Sequence, residues 1–412
     1  MTKIDWTKYP QDTKIIDLQS SNITDIVWEG CPPSLIILYL GGNNITEMNW
    51  KGCPQSLSRI YLNNNQIINM NWKDCSQSLI CVGLGKNQIT KINWNDCPQS
   101  LNCIHLNNNQ IIEMNWEGCS QNLNWINLAY NFIKKIVWEG CPQSLAKAYL
   151  NHNQITNMNW KDCSQNLICV GLIQNQITKI NWNGCPQSLN YIHLNNNQII
   201  TMIWNNCSQN LSWINLSSNK ITEIVWKNCP KNLSTIKLER NHITNIIWKG
   251  CSQNLNKISL RYNNITHMIW KDCPKNLSSI NLAYNSINIM NWNMAPQSLA
   301  IIYLRRNPLI EVNWKYIPWN IKFFSHHNDL DNKFKEYKES RNNIPDLPYL
   351  WIDGHKEFID ELTHTFLLPP PQGGFESPYY KYPLYKNGGV SYRNMMEEMM
   401  KDLSINTFAH DL

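Results

Sequence analysis

Cysteine is the residue type in this sequence with the clearest potential for chemistry. Twelve of the fifteen cysteines recur at one constant spacing, from Cys31 through Cys53 and Cys75 to Cys273. Cysteine thiolates bind metal ions and enter redox reactions. A zinc site, however, needs four ligands that converge on one point, whereas equivalent residues of stacked units form a row with one member every ~5 Å. We therefore expect these twelve cysteines to be small buried side chains without a chemical role.

The other three cysteines, Cys81, Cys103 and Cys169, alternate with apolar residues and so face outward from predicted short strands. Cys81 and Cys103 are separated by one repeat, which predicts neighbouring positions on adjacent strands and makes a disulfide conceivable. The N-terminal residues 1–6 lack the apolar segment of a secretory signal, which predicts a cytoplasmic protein that is not secreted. In that compartment we expect the cysteines to be free thiols. We also predict no metal site and no cofactor.

Histidines and tryptophans occupy other outward positions. His105 and His193 are four repeats apart, so about 19 Å separates them at ~4.8 Å per strand. They cannot share a metal ion, and we expect solvated side chains. Trp125 and Trp213 have the same four-repeat separation. An exposed aromatic residue on a solenoid face is a typical anchor for a partner.

The outward positions as a set mix aromatic and hydrogen-bonding groups with little charge, which is typical of a protein-recognition surface. The candidate partner-binding residues are Tyr39, Tyr61, His105, Trp125, Tyr149, His193, Trp213 and Lys237. The net charge is only +6, and the densest outward basic cluster consists of Lys237, Arg240, Lys257, Arg261, Arg305 and Arg306. The sequence contains no recognised nucleic-acid module, so a nucleic-acid partner is not expected.

These residues are positioned by a repeat. Fifteen of the nineteen tryptophans follow an unbroken 22-residue period from Trp6 to Trp314. Within one unit, apolar residues at Leu57, Ile60 and Leu62 predict a short strand with an inward face. An asparagine follows in thirteen of fourteen units, from Asn43 to Asn307, with Ser21 as the exception; its amide can satisfy backbone groups where the chain leaves the strand. The tryptophans fill the convex layer, where each indole N–H needs a polar partner.

The pattern Leu57-x-x-Ile60-x-Leu62-x-x-Asn65-x-Ile67, preceded by Pro54-Gln55-Ser56, resembles the leucine-rich-repeat family over about residues 6–326. It is most similar to the repeats of bacterial type III secreted effectors and to the FNIP-type repeats of amoebae and their large DNA viruses. The resemblance implies a solenoid with one parallel strand per repeat. Proline in the return segment predicts a mostly irregular convex side rather than a long helix.

A longer repeat is also present. Residues 72–111 recur at 160–199 with five differences in forty positions, an offset of four repeats. Tandem duplication explains this identity, so many outward residues are copies, which argues against a unique active site in the array.

The predicted organisation is an array of about fourteen repeats at 1–326, a partly helical C-terminal cap at 327–366, and a Pro- and Tyr-rich extended arm with a short Met-rich helix at 367–412. The arm could contact a partner or a second copy of the chain, or fold back over the end of the solenoid.

The sequence predicts a protein that is not an enzyme. Bacterial effectors with similar repeats often add a ubiquitin ligase with a catalytic cysteine, but no cysteine follows Cys273. Motifs for hydrolase nucleophiles, phosphate loops and dinucleotide binding are also absent from the sequence. The first functional hypothesis is a scaffold that binds a protein partner on the concave face. The second is a structural component of a large DNA virus particle, a minor capsid or other virion protein, whose arm contacts neighbouring subunits. The sequence predicts no membrane partner.

Overall fold

The structure is a computed structural model that describes residues 3–313, 316–318, 321 and 323–325. The predicted cap and arm, 327–366 and 367–412, lie outside these residues. The described residues form seventeen strands: β1 (Ile15–Asp17), β2 (Ile37–Tyr39), β3 (Arg59–Tyr61), β4 (Cys81–Gly83), β5 (Cys103–His105), β6 (Trp125–Asn127), β7 (Lys147–Tyr149), β8 (Cys169–Gly171), β9 (Tyr191–His193), β10 (Trp213–Asn215), β11 (Thr235–Lys237), β12 (Lys257–Ser259), β13 (Ser279–Asn281), β14 (Ile289–Met290), β15 (Ile301–Tyr303), β16 (Glu311–Val312) and β17 (Phe323–Ser325).

One parallel sheet contains fifteen of these strands in chain order, and β14 and β16 pair separately. The register is constant: Ile60 pairs with Leu38 on one side and Val82 on the other. A repeat of constant length with one strand per unit makes this register unavoidable, because each strand meets its copy in the next repeat. The architecture is the predicted solenoid, and β17 extends its sheet to Ser325.

The core is a column of inward side chains from every repeat. In the unit that begins at Trp50, Leu57, Ile60 and Ile67 are fully buried. The return segments contain no α-helix among the described residues, and a short 3-10 turn lies at Trp6–Lys8. The irregular convex side that Pro54 and its equivalents predicted is therefore confirmed. None of the described helical segments has the length and apolar character that crossing a bilayer requires.

The periodic tryptophans form a stacked ladder inside the convex side. The rings of Trp72 and Trp94 have centroids 6.5 Å apart and planes inclined by 7°. The Nε1–H of Trp94 donates to the backbone carbonyl of Asn115, in the next repeat, at 2.6 Å. Eleven ladder tryptophans make this bond, and they have the polar partner that the sequence predicted: Trp6, Trp28, Trp50, Trp72, Trp94, Trp116, Trp138, Trp160, Trp182, Trp248 and Trp270.

The asparagine ladder lies just beyond the C-terminal end of each strand, where the chain leaves the sheet. Asn109 is representative: its Nδ2 donates to the carbonyls of Leu84 and Leu106 at 2.9 and 3.0 Å, and its Oδ1 accepts from the backbone N–H of Ile89 at 3.0 Å. One buried amide thus satisfies backbone groups of two consecutive repeats, as the sequence predicted. A side chain with both a donor and an acceptor is required, because the exposed ends of parallel strands present both.

Candidate functional site

The candidate site is the outward face of the fifteen-stranded sheet, formed by the first and third residues of each strand. All eight predicted partner-binding residues lie on this face. Exposed or solvated side chains were expected at Trp125, Trp213, His105 and His193. This expectation is wrong for Trp213, His105 and His193, which are buried, and Trp125 is half-buried. Of the other four candidates, Tyr61, Tyr149 and Lys237 are buried and Tyr39 is half-buried.

Neighbouring strands explain this burial. Adjacent strands lie only ~4.8 Å apart, so large outward side chains of successive repeats contact one another rather than water. Tyr39 and Tyr61 stack with centroids 5.1 Å apart. The histidines, predicted to be solvated, pack against tryptophans in the same way. The outward face is therefore a continuous layer of aromatic and polar side chains.

The first duplicated block is followed by a cluster centred on Trp125, which we call the first tryptophan cluster (His105, Trp125, Lys147 and Tyr149). The ring of Trp125 contacts His105 edge-on, with centroids 4.8 Å apart, and Tyr149 at 6.1 Å. The Lys147 Nζ lies 5.9 Å from the Trp125 centroid, a cation–π distance. A strand-to-strand register that pairs Trp125 with Lys147 produces this contact.

The second tryptophan cluster (His193, Trp213 and Lys237) repeats this chemistry four strands further along. The rings of His193 and Trp213 have centroids 4.6 Å apart, and the Lys237 Nζ lies 5.7 Å from the Trp213 centroid. Burial lowers the pKa of His193 to about 3, with a further contribution from Lys237. Burial also lowers the pKa of Lys237 to about 8, which the carboxylate of Glu239 partly offsets. Both histidine and lysine are thus held where charge is unfavourable.

The two outward tryptophans share an unmet hydrogen-bonding requirement. The Nε1–H of Trp125 and of Trp213 is buried and has no hydrogen-bond acceptor in the part of the chain that the structure describes. The ladder tryptophans Trp204 and Trp226 have the same feature, but they lie in the convex layer. On the outward face, an unpaired indole N–H combined with a neighbouring lysine occurs at both tryptophan clusters.

A third cluster, which we call the thiol cluster, consists of Cys81, Cys103 and His105. Its three ligand atoms all lie within 4.8 Å of one another, and each residue is buried. The Cys103 Sγ is 3.4 Å from the His105 Nε2. Sequence reasoning placed the two cysteines side by side and treated His105 separately. Side chains alternate along β5, so Cys103 and His105, two residues apart, lie on the same face of the sheet. This alternation in the sequence could have identified the cluster.

The two thiols of this cluster are free in the structure. A hydrogen bond from Cys103 is the largest cause of a lowered pKa at Cys81, to about 5, with His105 and Arg59 acting in the same direction. The same bond, together with burial, raises the pKa of Cys103. One sulfur therefore accepts and the other donates.

The periodic cysteines behave differently. They are free and mostly buried, and burial raises the pKa of Cys53 to about 12 and that of Cys141 to about 11. A thiol held protonated in apolar surroundings is a poor nucleophile and a poor metal ligand. The predicted burial of this row is confirmed.

The predicted basic cluster in the C-terminal repeats is organised by tyrosines. Tyr262 and Tyr284 stack with centroids 4.2 Å apart. The Arg240 guanidinium lies 4.7 Å from the Tyr262 centroid, and that of Arg261 lies 4.7 and 4.9 Å from the two tyrosine rings. Stacking on the tyrosine rings holds the guanidinium groups in place.

A separate apolar stripe lies beside the tryptophan ladder, on the convex side. It consists of the residues that precede four successive ladder tryptophans, which are asparagines in most other repeats. Their exposed fractions run from 37% to 64%: Ile203, Val225, Ile247 and Ile269. Contiguous exposed apolar side chains are a recognised mark of interaction surfaces. The apolar stripe is therefore the alternative to the outward face as a candidate binding surface.

Comparison with solved structures identifies the fold. The chain is similar to a leucine-rich-repeat protein of Leptospira interrogans, with a TM-score of 0.62 and 20% identity over 85% of this chain and 100% of that one. It is also similar to the functional domain of InlJ from Listeria monocytogenes, which includes a cysteine ladder (TM-score 0.60, 18% identity, 76% of this chain and 68% of that one). YopM from Yersinia pestis, a leucine-rich effector protein, gives a TM-score of 0.56 at 18% identity over 76% of this chain and 88% of that one.

The fold of this chain is therefore a leucine-rich-repeat solenoid, as the repeat pattern predicted. No protein-family model matches the sequence, and no curated protein matches it either. The likeness to FNIP-type viral repeats stays a prediction.

Proposed function

We propose that this protein is a non-enzymatic scaffold that binds a protein partner on the outward, concave face of its sheet, with the two tryptophan clusters as anchors. The observation that carries the proposal is the pair of buried indole N–H groups on this face, from Trp125 and Trp213, that have no acceptor among the described residues. Binding hot spots are enriched in tryptophan, tyrosine and arginine side chains that the partner covers.

The energetics favour an acceptor from outside the chain. Leaving a buried donor without a partner costs about 1–3 kcal/mol. Most ladder tryptophans avoid that cost through a backbone carbonyl. Both N–H groups are buried in the free protein, so a partner reaches them only after the side chain rotates toward the surface. Trp125 and Trp213 would then regain this energy by donating to a carbonyl or carboxylate oxygen of the partner.

The spacing of the clusters limits the partner. Trp125 is on β6 and Trp213 on β10, so four strand spacings of ~4.8 Å, or about 19 Å, separate them. An extended segment spans this distance with about six residues at ~3.3 Å each. Lys147 and Lys237 lie beside the two indoles, which favours acceptors with negative charge. The proposed partner is a protein that presents two acidic or carbonyl groups at this separation.

We expect the double variant Trp125→Thr/Trp213→Thr to lose partner capture. Threonine occupies the strand position next to Trp213, at Thr235, so the substitution suits the sheet. Loss of one anchor typically costs about 2 kcal/mol, so each single variant should weaken binding by about 30-fold. The measurement is quantitative pull-down from lysate of the native cells, followed by affinity measurement with the recovered protein.

The matched control is Ile247→Thr in the apolar stripe, which should capture the partner as the unmodified protein does. Unchanged capture by the double variant, with circular dichroism showing a folded chain, would refute the anchors. Loss of capture in Ile247→Thr alone would indicate that the apolar stripe, and not the outward face, binds the partner.

The sequence also raises the second function, a structural role in the particle of a large DNA virus. This hypothesis depends on the arm at 367–412, which lies outside the described residues, and its support is therefore the composition and the repeat resemblance. Mass spectrometry of purified particles decides the matter, because absence of the protein from virions would exclude a structural role there.

A further inference from the structure

The thiol cluster has the composition and geometry of a metal site. We infer that Cys81, Cys103 and His105 bind one thiophilic d10 metal ion, Zn²⁺ or Cu(I), on the outward face between β4 and β5. Two sulfurs and one imidazole nitrogen form a soft donor set that selects these ions over Mg²⁺ or Ca²⁺. The twelve periodic cysteines form a row and do not converge, whereas these three residues do.

The distances fit the ion. With Zn–S and Zn–N bonds of about 2.3 and 2.0 Å, tetrahedral coordination places two sulfurs about 3.8 Å apart and a sulfur and a nitrogen about 3.5 Å apart. The Cys103 Sγ and His105 Nε2 are separated by 3.4 Å, and all three ligand atoms lie within 4.8 Å of one another. Rotations of side chains that already share one face would bring the three ligand atoms to these separations.

The register explains the convergence. Cys81 pairs with Cys103 and Gly83 with His105, so the four residues form a square on one face of the sheet. One corner has no side chain, and a Cβ at Gly83 would lie only 3.0 Å from the Tyr61 ring and 2.6 Å from the Asn63 amide nitrogen. The vacant corner thus accommodates the Tyr61 ring beside the two thiols.

The surroundings of the thiol cluster are aromatic. The Tyr61 ring and the Trp125 ring, which contacts His105 edge-on, provide an aromatic shell. A shell of this kind controls the access of solvent and the local dielectric at a metal site.

The duplication supplies an internal comparison. In the second block the same square contains Cys169, Tyr191, Gly171 and His193, so a single ligand position differs: Tyr191 stands where the first block has Cys103. Replacing Cys103 by tyrosine therefore installs an arrangement that this sheet already accepts. The second block retains one sulfur and one imidazole, which is too few for a closed site.

The test uses the full chain, reduced and metal-free, titrated anaerobically with Co²⁺ as a spectroscopic substitute for Zn²⁺. We expect one equivalent to produce thiolate-to-cobalt charge-transfer absorption that Zn²⁺ then abolishes. Cys103→Tyr should weaken binding by about 100-fold or more, since even loss of an outer-shell contact costs about 10–100-fold. Cys169→Ser should bind as the unmodified chain does. A parallel titration with Cu(I) in a chelator buffer distinguishes the two ions.

The proposal is supported if the unmodified chain binds either ion and Cys103→Tyr does not. The titration that gives the lower dissociation constant then identifies the ion. Binding that is equal in the unmodified chain and in Cys103→Tyr, or no binding of either ion, would overturn the proposal. If Cys103→Tyr fails to fold by circular dichroism, Cys81→Ser and His105→Asn give the same comparison; asparagine occupies the position of His105 on the next strand, at Asn127. Partner capture is a separate measurement, so the site and the proposed scaffold function can fail independently.

Discussion

Replacement of Trp138 by alanine is expected to lower the free energy of unfolding by about 3–5 kcal/mol. Trp138 is 1% exposed, stacks on Trp116 at 6.1 Å, and donates its indole N–H to the carbonyl of Asn159 at 2.7 Å. Alanine removes the buried ring and leaves a cavity between two repeats. Each repeat contacts only its neighbours, so the lesion interrupts the stack in the middle of the array. Urea unfolding followed by circular dichroism measures the effect.

Two further variants separate the contributions of the buried ring and of its hydrogen bond to stability from the effect of removing any aromatic side chain. Trp138→Phe keeps most of the ring and removes the hydrogen bond, so it should cost about 1–2 kcal/mol. Phe132→Ala removes an aromatic side chain that is 48% exposed, so its effect should be well below that of Trp138→Ala. Equal destabilisation by Phe132→Ala and Trp138→Ala would show that the ladder is not the structural core described above.

Replacement of Asn131 by alanine is expected to cost about 2–4 kcal/mol, because it leaves buried backbone groups without partners. Asn131 is 5% exposed, and its Nδ2 donates to the carbonyls of Leu106 and Leu128 at 2.9 and 3.1 Å. Its Oδ1 accepts from the backbone N–H of Ile111 at 3.0 Å. Urea unfolding gives the free energy, and amide hydrogen exchange should locate the loss of protection in the repeats on either side.

Asn157→Ala is the matched control, since Asn157 is exposed and the hydrogen bond of its side chain is to the neighbouring Thr156 hydroxyl. It should change stability by no more than about 0.5 kcal/mol. Asn131→Ser copies Ser21 of the first repeat and should fall between the two. A loss at Asn131→Ala no larger than at Asn157→Ala would contradict the ladder.

The sequence predicted the fold because periodicity determines it. A 22-residue period with Leu57, Ile60 and Leu62 on one face specifies the strand, its inward side and its register against copies in adjacent repeats. The positions of the periodic Trp, Asn and Cys residues follow from the same phase. None of these predictions required knowledge of contacts between different parts of the chain, since every repeat meets only a copy of itself.

The outward face was harder to predict because it is not periodic. Whether Trp213 is exposed depends on which side chains stand on the adjacent strands, and a contact with His193 covers it. The thiol cluster needs three side chains from two strands to converge, together with the vacant corner at Gly83. Alternation gives the face of each residue, but the direction in which the His105 ring leans depends on its particular neighbours.

The division between a structural interior and a binding outward face is tested most directly by site-specific photo-crosslinking. The photoreactive residue p-benzoylphenylalanine replaces Tyr191, which is half-buried on the outward face beside Trp213, or Ile247, which is 64% exposed in the apolar stripe. The full chain is irradiated in lysate of its native cells, and adducts are identified by mass spectrometry. We expect a specific adduct from position 191 and none from position 247. Adducts that form from position 247 alone would contradict binding on the outward face.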